Sequence, residues 1–299
     1  MTINYPLLID GGLSNQLERQ GYNLNHKLWS AKLLDSEPEA IIGAHLAYLE
    51  AGARCITTAS YQATISGFMS VGYDRATAEI LILKSVELAE KAITRFQEKD
   101  FTPLIAASIG PYGAYLADGS EYRGKYGVSK DELRAFHDDR IRLLDSSNAD
   151  ILACETIPSF KEALALYDLL KDVKKQVWIS FSCRDDRFIN DGTEIADCVE
   201  LFADHPKIFA TGINCTAPRY ISKLVKTIKP LMNKKRLIIY PNSGDIYNAK
   251  HKTWSTNINT ANFLTLAEEW IDIGVDIIGG CCRIGPKEIK SLNKLLYTQ

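Results

Sequence analysis

The sequence predicts an α/β protein: a single (β/α)8 TIM barrel over residues 1–299, with its working groups at the C-terminal mouth. Two observations carry this, and a third removes the main competitor. Eight short apolar segments alternate with helical patterns along the 299 residues. The segments are rich in Ile, Val and Leu and apolar on both faces, as strands of a fully covered parallel sheet must be. An open doubly wound sheet would be expected to carry G-x-G-x-x-G after its first strand, and that motif is absent. The length accommodates a barrel of about 250 residues with long loops to spare.

In chain order, LLIDGG (7–12) precedes helical periodicity over 38–51, CITTAS (55–60) precedes 74–96, and LIAASIGP (104–111) precedes 130–147. ILACET (151–156) precedes 159–172, VWISFSC (177–183) precedes 194–203, and IFATGINC (208–215) precedes 218–229. RLIIYPNS (236–243) precedes 260–273, and IIGGCC (277–282) precedes 286–296. Several helix starts are legible. Ser129 is followed by Asp131 and Glu132, Ser159 by Glu162, and Pro286 sits just inside the last helix with Glu288 behind it. Two connections exceed what a barrel needs. Residues 112–128 are rich in tyrosine and glycine, and residues 243–259 are polar with Tyr247 and Trp254. Both follow a strand's C-terminal end, where barrel enzymes place lids and binding loops. No internal repeat or Pro/Gly-rich linker divides the chain, so one domain is expected.

Composition narrows the function classes. A content of 46% hydrophobic and 24% charged residues is that of a globular protein rather than a disordered one. The net charge of −2 provides no basic field for nucleic acid or an anionic membrane. No apolar run approaches the roughly 20 residues of a membrane span. The start, MTINYPLLIDGG, lacks a basic region leading into a long apolar stretch, so no secretion signal is expected. Seven scattered cysteines are an odd number that does not form a disulfide framework. They point to a cytoplasmic protein, in which clustered thiols serve metals or catalysis.

Polar groups gather where the strands end: Asp10 on the first, Thr57, Thr58 and Ser60 on the second, Ser108 on the third, Glu155 on the fourth. Cys215 ends the sixth, Asn242 the seventh, and Cys281 with Cys282 the eighth. In a barrel these converge on one mouth. Three thiolates suit zinc and leave a fourth tetrahedral position open, the mark of a catalytic site. The same three cysteines also fit buried packing or a vicinal disulfide. Gly279 and Gly280 would let the backbone bend, so that adjacent cysteines aim at one ion. Asp10 and Glu155 could bind an ammonium group, or equally an internal Lys or Arg, or cap a helix. Cys55, Cys154, Cys183 and Cys198 read as core. His26, His45, His137, His205 and His251 show no ligand spacing and read as helix-surface or loop residues.

These motifs together resemble the homocysteine S-methyltransferase family, closest to bacterial members using S-methylmethionine or S-adenosylmethionine. The resemblance runs from about residue 7 to residue 296. It is carried by LLIDGG with Leu17 and Glu18, LWSAKLL (28–34), AGARCITTASYQAT (51–64), SIGPYGAYLADGSEYRGKY (108–126), ACETIP (153–158), GINC (212–215), YPNSG (240–244) and GGCCR (279–283). The family fold is a (β/α)8 barrel. The resemblance implies a Zn2+ ion on Cys215, Cys281 and Cys282, and a substrate amino group held by Asp10 and Glu155. It further implies that Thr58 and the backbone at Gly11 receive the substrate carboxylate. Gln62, Ser108 and Asn242 are expected to contact substrates, and Tyr112, Tyr115, Tyr122 and Tyr126 with Trp29 to enclose the sulfonium. The implied reaction moves a methyl group from a sulfonium donor to L-homocysteine to give methionine. Partners are then small molecules alone, with no nucleic acid or membrane; the oligomeric state stays open, a monomer being compatible with the reaction. Many members have D-G-A where this chain has Asp10-Gly11-Gly12.

Overall fold

The computed structural model describes residues 3–97, 100–244, 246–248, 253–255 and 261–297. Eight parallel strands make the barrel: β1 (Leu7–Leu8), β2 (Cys55–Thr57), β3 (Leu104–Ile109), β4 (Ile151–Ile157), β5 (Gln176–Phe181), β6 (Ile208–Asn214), β7 (Arg236–Tyr240) and, after a hairpin, β10 (Ile277–Ile278). They lie in the order β1-β10-β7-β6-β5-β4-β3-β2. The seam between β1 and β2 closes through a parallel bridge from Ile9 to Cys55. There Asp10 N donates to Cys55 O at 3.0 Å, and Arg54 N donates to Leu8 O at 2.8 Å.

The helices fall where the periodicity places them: Pro38–Glu50, Arg75–Arg95, Lys130–Ser146, Phe160–Leu169, Ile195–Phe202, Pro218–Ile228, Ala261–Ile273 and Pro286–Tyr297. Ser129 forms the expected capping box, its hydroxyl accepting from Glu132 N at 3.2 Å while Glu132 accepts from Ser129 N at 2.7 Å. Ser159 occupies the N-cap position, but its side chain does not cap the helix. Asp191, from beyond β5, accepts from Phe160 N at 2.7 Å instead. A tertiary contact has replaced the local one.

The period of two along each strand divides the core into two layers. Leu8, Ile56, Ile105, Leu152, Ile179, Leu237 and Ile239 face the helices. Leu7, Ile9, Cys55, Ala106, Ile151, Ala153, Trp178, Ala210, Ile238, Tyr240 and Ile277 fill the barrel interior. Three alanines there leave room for the two large rings. Trp178 Nε1 donates to Tyr240 Oη at 3.2 Å, so the indole is buried without an orphaned donor. Beyond this apolar plug the inward phase continues into Ser108, Glu155, Ser180 and Asn214, and the axis becomes polar toward the mouth.

The 112–128 connection carries a short helix at Tyr112–Leu116 and a 3-10 turn at Ser120–Tyr122. Three histidines expected on surfaces, His45, His137 and His205, are buried among the helices. Part of the 243–259 connection forms an antiparallel hairpin, β8 (Ile246–Asn248) with β9 (Thr253–Ser255). The remainder of that predicted binding loop from Asp245 onward, and His251, lie outside the described residues. Among the described residues, no helix is long and apolar enough to cross a membrane.

Candidate active site

The three cysteines converge. Cys215 Sγ lies 3.6 Å from Cys282 Sγ, which lies 4.0 Å from Cys281 Sγ. All three sulfurs fall within 4.8 Å of one another. Bonded sulfurs sit about 2.05 Å apart, so the spacing is that of free thiols, which all seven cysteines are. A tetrahedral ion with zinc–sulfur bonds of about 2.3 Å would space its thiolates by about 3.8 Å. The two measured separations bracket that value, so the cluster fits a metal.

Backbone geometry brings the thiols together. Simple alternation after Asn214 would turn Cys215 toward the helices. Instead Cys215 takes a left-handed φ of 46°, costly for a side chain with a Cβ. The turn is held by Cys215 N donating to Tyr240 O at 3.1 Å and by Asn242 Nδ2 donating to Cys215 O at 3.2 Å. Arg283, just past the pair, is also left-handed at φ 70°, and its N donates to Asn15 Oδ1 at 2.6 Å. The role expected of the preceding glycines is different from the one found. Neither has a positive φ. A Cβ on Gly279 would lie 2.4 Å from Ile9 Cγ1, and one on Gly280 would lie 2.1 Å from Ile284 Cγ2. They permit close packing, and Cys215 and Arg283 supply the bend. Hydrogen bonds from Cys215 and Cys281 hold the Cys282 thiol well below its ordinary pKa, so the cluster retains one thiolate readily.

Asp10 and Glu155 are both buried at this mouth. Asp10 Oδ2 accepts from Thr57 N at 2.8 Å, and Thr57 Oγ1 lies 3.1 Å from both carboxylate oxygens. Glu155 Oε1 accepts a hydrogen bond from Ser108 Oγ. Burial pushes Asp10 well above the usual carboxylate range and raises Glu155 to about 7. Among the described residues neither has an ion-pair partner, which removes the reading as internal Lys or Arg bridges. Neither accepts from a helix N-terminus.

One cavity of about 400 Å³ joins these groups, lined by the three cysteines, Asp10, Gly11, Thr58, Gln62, Ser108 and Glu155. Gly11 belongs here because a Cβ would lie 2.4 Å from Ile284 O. Thr58 is in the wall, but its hydroxyl is engaged within that wall. It accepts from Ser108 N at 3.0 Å and lies 2.6 Å from Ser60 Oγ, whose proton goes to Ser108 O at 2.7 Å. The Thr58 proton must therefore point at Ser60, leaving none for an incoming carboxylate. Gln62 Nε2 bridges Lys27 O at 3.2 Å and Ala114 O at 2.5 Å, stapling two mouth loops together. Asn242 stands behind Cys215 and is not part of the cavity wall.

The tyrosine loop divides. Tyr122 and Trp29 line the cavity, as expected. Tyr112, Tyr115 and Tyr126 do not. Tyr112 and Tyr115 stack on Phe136, with ring centroids 4.9 and 5.3 Å away, and Tyr126 packs on Tyr112 at 5.4 Å. They hold the loop on helix Lys130–Ser146. Their places around the cavity go to Tyr22, Tyr61 and Tyr240. Sequence reasoning placed Thr57 at the mouth without its role as a donor to Asp10, and it missed Asn15 and Glu121. Asn15 was hidden because it acts by supporting a neighbour. Glu121 is one of two acids, with Asp118, in a tyrosine- and glycine-rich loop, a signal that could have been read.

The chain matches the family model "Homocysteine S-methyltransferase" over residues 7–296. It is 46% identical over 296 residues to homocysteine S-methyltransferase YbgG of Bacillus subtilis, covering 96% of this chain and 94% of that one. Among solved structures it superposes on the oxidized form of the homocysteine methyltransferase MmuM from Escherichia coli with a TM-score of 0.87 and 43% identity, covering 97% and 95% of the two chains. The metallated form of the same protein gives a TM-score of 0.85 at 42% identity, covering 97% and 96%. The likeness spans barrel and mouth loops together, and this chain belongs to the homocysteine S-methyltransferase family.

Proposed function

We propose that this chain is a zinc-dependent methyltransferase that moves a methyl group from a sulfonium donor, S-methylmethionine or S-adenosylmethionine, to L-homocysteine, giving methionine. One observation carries the reading: three convergent thiols share a cavity with two buried carboxylates that lack an internal cation among the described residues. A bare metal store has no use for such carboxylates. An α-amino acid with a sulfur side chain needs both, one group for its ammonium and the other for its sulfur.

Zinc on Cys215, Cys281 and Cys282 would keep the acceptor sulfur deprotonated near neutral pH, where a free thiol of pKa about 8.5 is mostly protonated. Asp10 and Glu155 would take the ammonium, whose arrival supplies the charge that burial has withheld from them. Thr57 orients Asp10, and Ser108 orients Glu155. Because the Thr58 hydroxyl is engaged, we assign the acceptor's carboxylate to the backbone around Gly11. Asn242 and Asn15 act as supports, holding Cys215 and Arg283 in their left-handed turns. In the transfer the acceptor sulfur's electron pair forms the new S–CH3 bond. The donor's C–S bond breaks, and its pair returns to the donor sulfur. The leaving group is a neutral thioether and requires no proton.

The test is to incubate zinc-loaded protein with L-homocysteine and each donor in turn and to measure methionine. Metal analysis of Cys215→Ser, Cys281→Ser and Cys282→Ser is expected to show loss of about one zinc per chain in each. Methionine formation by a metal-free triple variant at the parent rate would end the zinc reading.

A further inference from the structure

We infer that Glu121 is the specificity residue for the donor, its carboxylate facing the sulfonium charge across a cage of aromatic rings; this deepens the reading above and rests on it. Glu121 lies in the wall of the same cavity as the thiols. Its Oε2 is shielded from solvent and has no hydrogen-bond partner among the described residues. The nearest guanidinium in sequence, Arg123, makes its hydrogen bonds to Asp118 at 3.3 Å and Ser120 Oγ at 2.9 Å and acts on Glu121 only as a weaker, non-bonded charge. A carboxylate oxygen enclosed without a partner is costly, so its persistence in a cavity wall points to a missing cation.

Position separates Glu121 from the acceptor's carboxylates. Glu155 stands on β4, fixed by Ser108 of β3, whereas Glu121 stands in the 3-10 turn of the 112–128 loop, so the two acids reach the cavity from different elements. A transfer between two sulfurs needs this division, with the acceptor on one side of the thiol cluster and the donor on another. The surroundings select the kind of cation. Tyr61, Tyr122 and Trp29 line the cavity, with Trp29 and Tyr61 edge to face at a centroid distance of 6.2 Å. An ammonium would call for several hydrogen-bond acceptors. A sulfonium donates no hydrogen bonds, and aromatic faces with one carboxylate suit its charge. The backbone holds Glu121 firmly, since Asn190 Nδ2 donates to Glu121 O at 3.1 Å and Gly113 allows Glu121 N an approach that a Cβ would block at 2.5 Å.

The sulfonium loses its charge as the methyl group leaves. Glu121 therefore favours the bound donor more than the transition state, and its removal acts on donor binding before it acts on turnover. The experiment is Glu121→Gln, which keeps shape and removes charge. The expected result is a donor KM raised about tenfold or more, with kcat, homocysteine KM and metal content held within about twofold. A second measurement is independent of turnover: equilibrium binding of S-methylmethionine against its neutral carbon isostere, 5-methylnorleucine. The parent protein is expected to prefer the sulfonium, and E121Q to lose that preference. An unchanged donor KM, metal loss on substitution, or equal binding of both ligands by the parent protein would each overturn the assignment. The binding arm also separates the two proposals. If the sulfonium preference exists and depends on Glu121 while homocysteine yields no methionine, the acceptor assignment fails and the donor site stands.

Discussion

Two buried glutamates on this barrel have opposite surroundings. Glu162, on the helix after β4, is completely enclosed. It accepts from Tyr112 N at 2.6 Å, from His137 Nε2 at 2.8 Å and from Tyr126 Oη at 3.0 Å. Behind it stands a cation: Arg140 Nη2 lies 3.0 Å from His137 Nδ1 and donates to Gly110 O at 2.6 Å. Burial holds His137 below its ordinary pKa, so the neutral ring accepts from Arg140 on one nitrogen and donates to Glu162 with the other. Glu155, at the other end of the same strand–loop–helix segment, has Ser108 as its clear donor and no cation among the described residues. Burial alone does not distinguish a structural acid from one awaiting a ligand. Charge compensation does, since a folded protein that uses an acid only for stability supplies its counterion internally.

If the contrast is correct, Glu162→Ala has the largest effect on stability. It leaves the Tyr112 amide, the His137 ring and the Tyr126 hydroxyl without their acceptor, and Arg140 without a nearby acid. Breaking a buried charged network by removing one member costs about 3–5 kcal/mol. Urea unfolding should show this as a lower midpoint with an unchanged slope. A loss below about 1 kcal/mol would mean that the Glu162 network is no better compensated than the mouth.

The contrast also explains what could be read from the sequence and what could not. The barrel was legible because each strand and helix announces itself by a local apolar period, and the eight units arrive in strict alternation. The thiol cluster was legible because strand order alone brings Cys215 and the Cys281–Cys282 pair to one mouth. Asp10 and Glu155 were legible as acids at strand ends. Their lack of a counterion among the described residues was not, because compensation is a long-range property: Glu162 finds His137 across 25 positions, and Glu155 finds Ser108 across 47. The same limit misassigned three tyrosines of the 112–128 loop. Phe136, on which two of them stack, follows the loop in sequence, but no local pattern marks it as their partner. The left-handed turns at Cys215 and Arg283 leave no trace in composition, since their cost is met from elsewhere in the chain, by Asn242 just past β7 and by Asn15 in the helix Leu13–Arg19.

Next in size is a gain in stability. Burial holds Glu155 at about 7, above the ordinary value of 4.5. Between those values the folded protein keeps a proton that the unfolded chain has lost, so this group's contribution falls as pH rises through the window. Glu155→Gln removes the penalty while leaving Ser108 an acceptor. At pH 8 the variant should be more stable than the parent by up to about 3 kcal/mol, the upper bound set by the raised pKa at roughly 1.4 kcal/mol per tenfold. The difference should shrink toward zero near pH 4, where both forms are neutral. The same variant should bind homocysteine more weakly by about 2–5 kcal/mol, since it lacks a charge partner. Thermal melts at the two pH values, with calorimetric titration of homocysteine, measure both. A variant destabilised at pH 8 would place Glu155 with Glu162 as a structural acid.

The smallest effect tests whether the satisfied region serves the unsatisfied one. Tyr126 donates to Glu162 from the loop that also carries Glu121 and Tyr122. Tyr126→Phe keeps the ring packed against Tyr112 and removes only the hydroxyl. The cost to stability should be about 1 kcal/mol, the net worth of one hydrogen bond, because Glu162 keeps two stronger donors and the half-buried site admits water. If the Glu162 network anchors the loop over the donor side of the cavity, the functional effect is specific. The donor KM should rise by about twofold to threefold. The homocysteine KM should be unchanged, because Asp10 and Glu155 are held by Thr57 and Ser108, which belong to strands β2 and β3 rather than to the loop. Equal rises in both constants would show that the loop closes the whole cavity rather than one side of it. No rise in either would separate the compensated cluster from the chemistry altogether, leaving it a fixture of the fold.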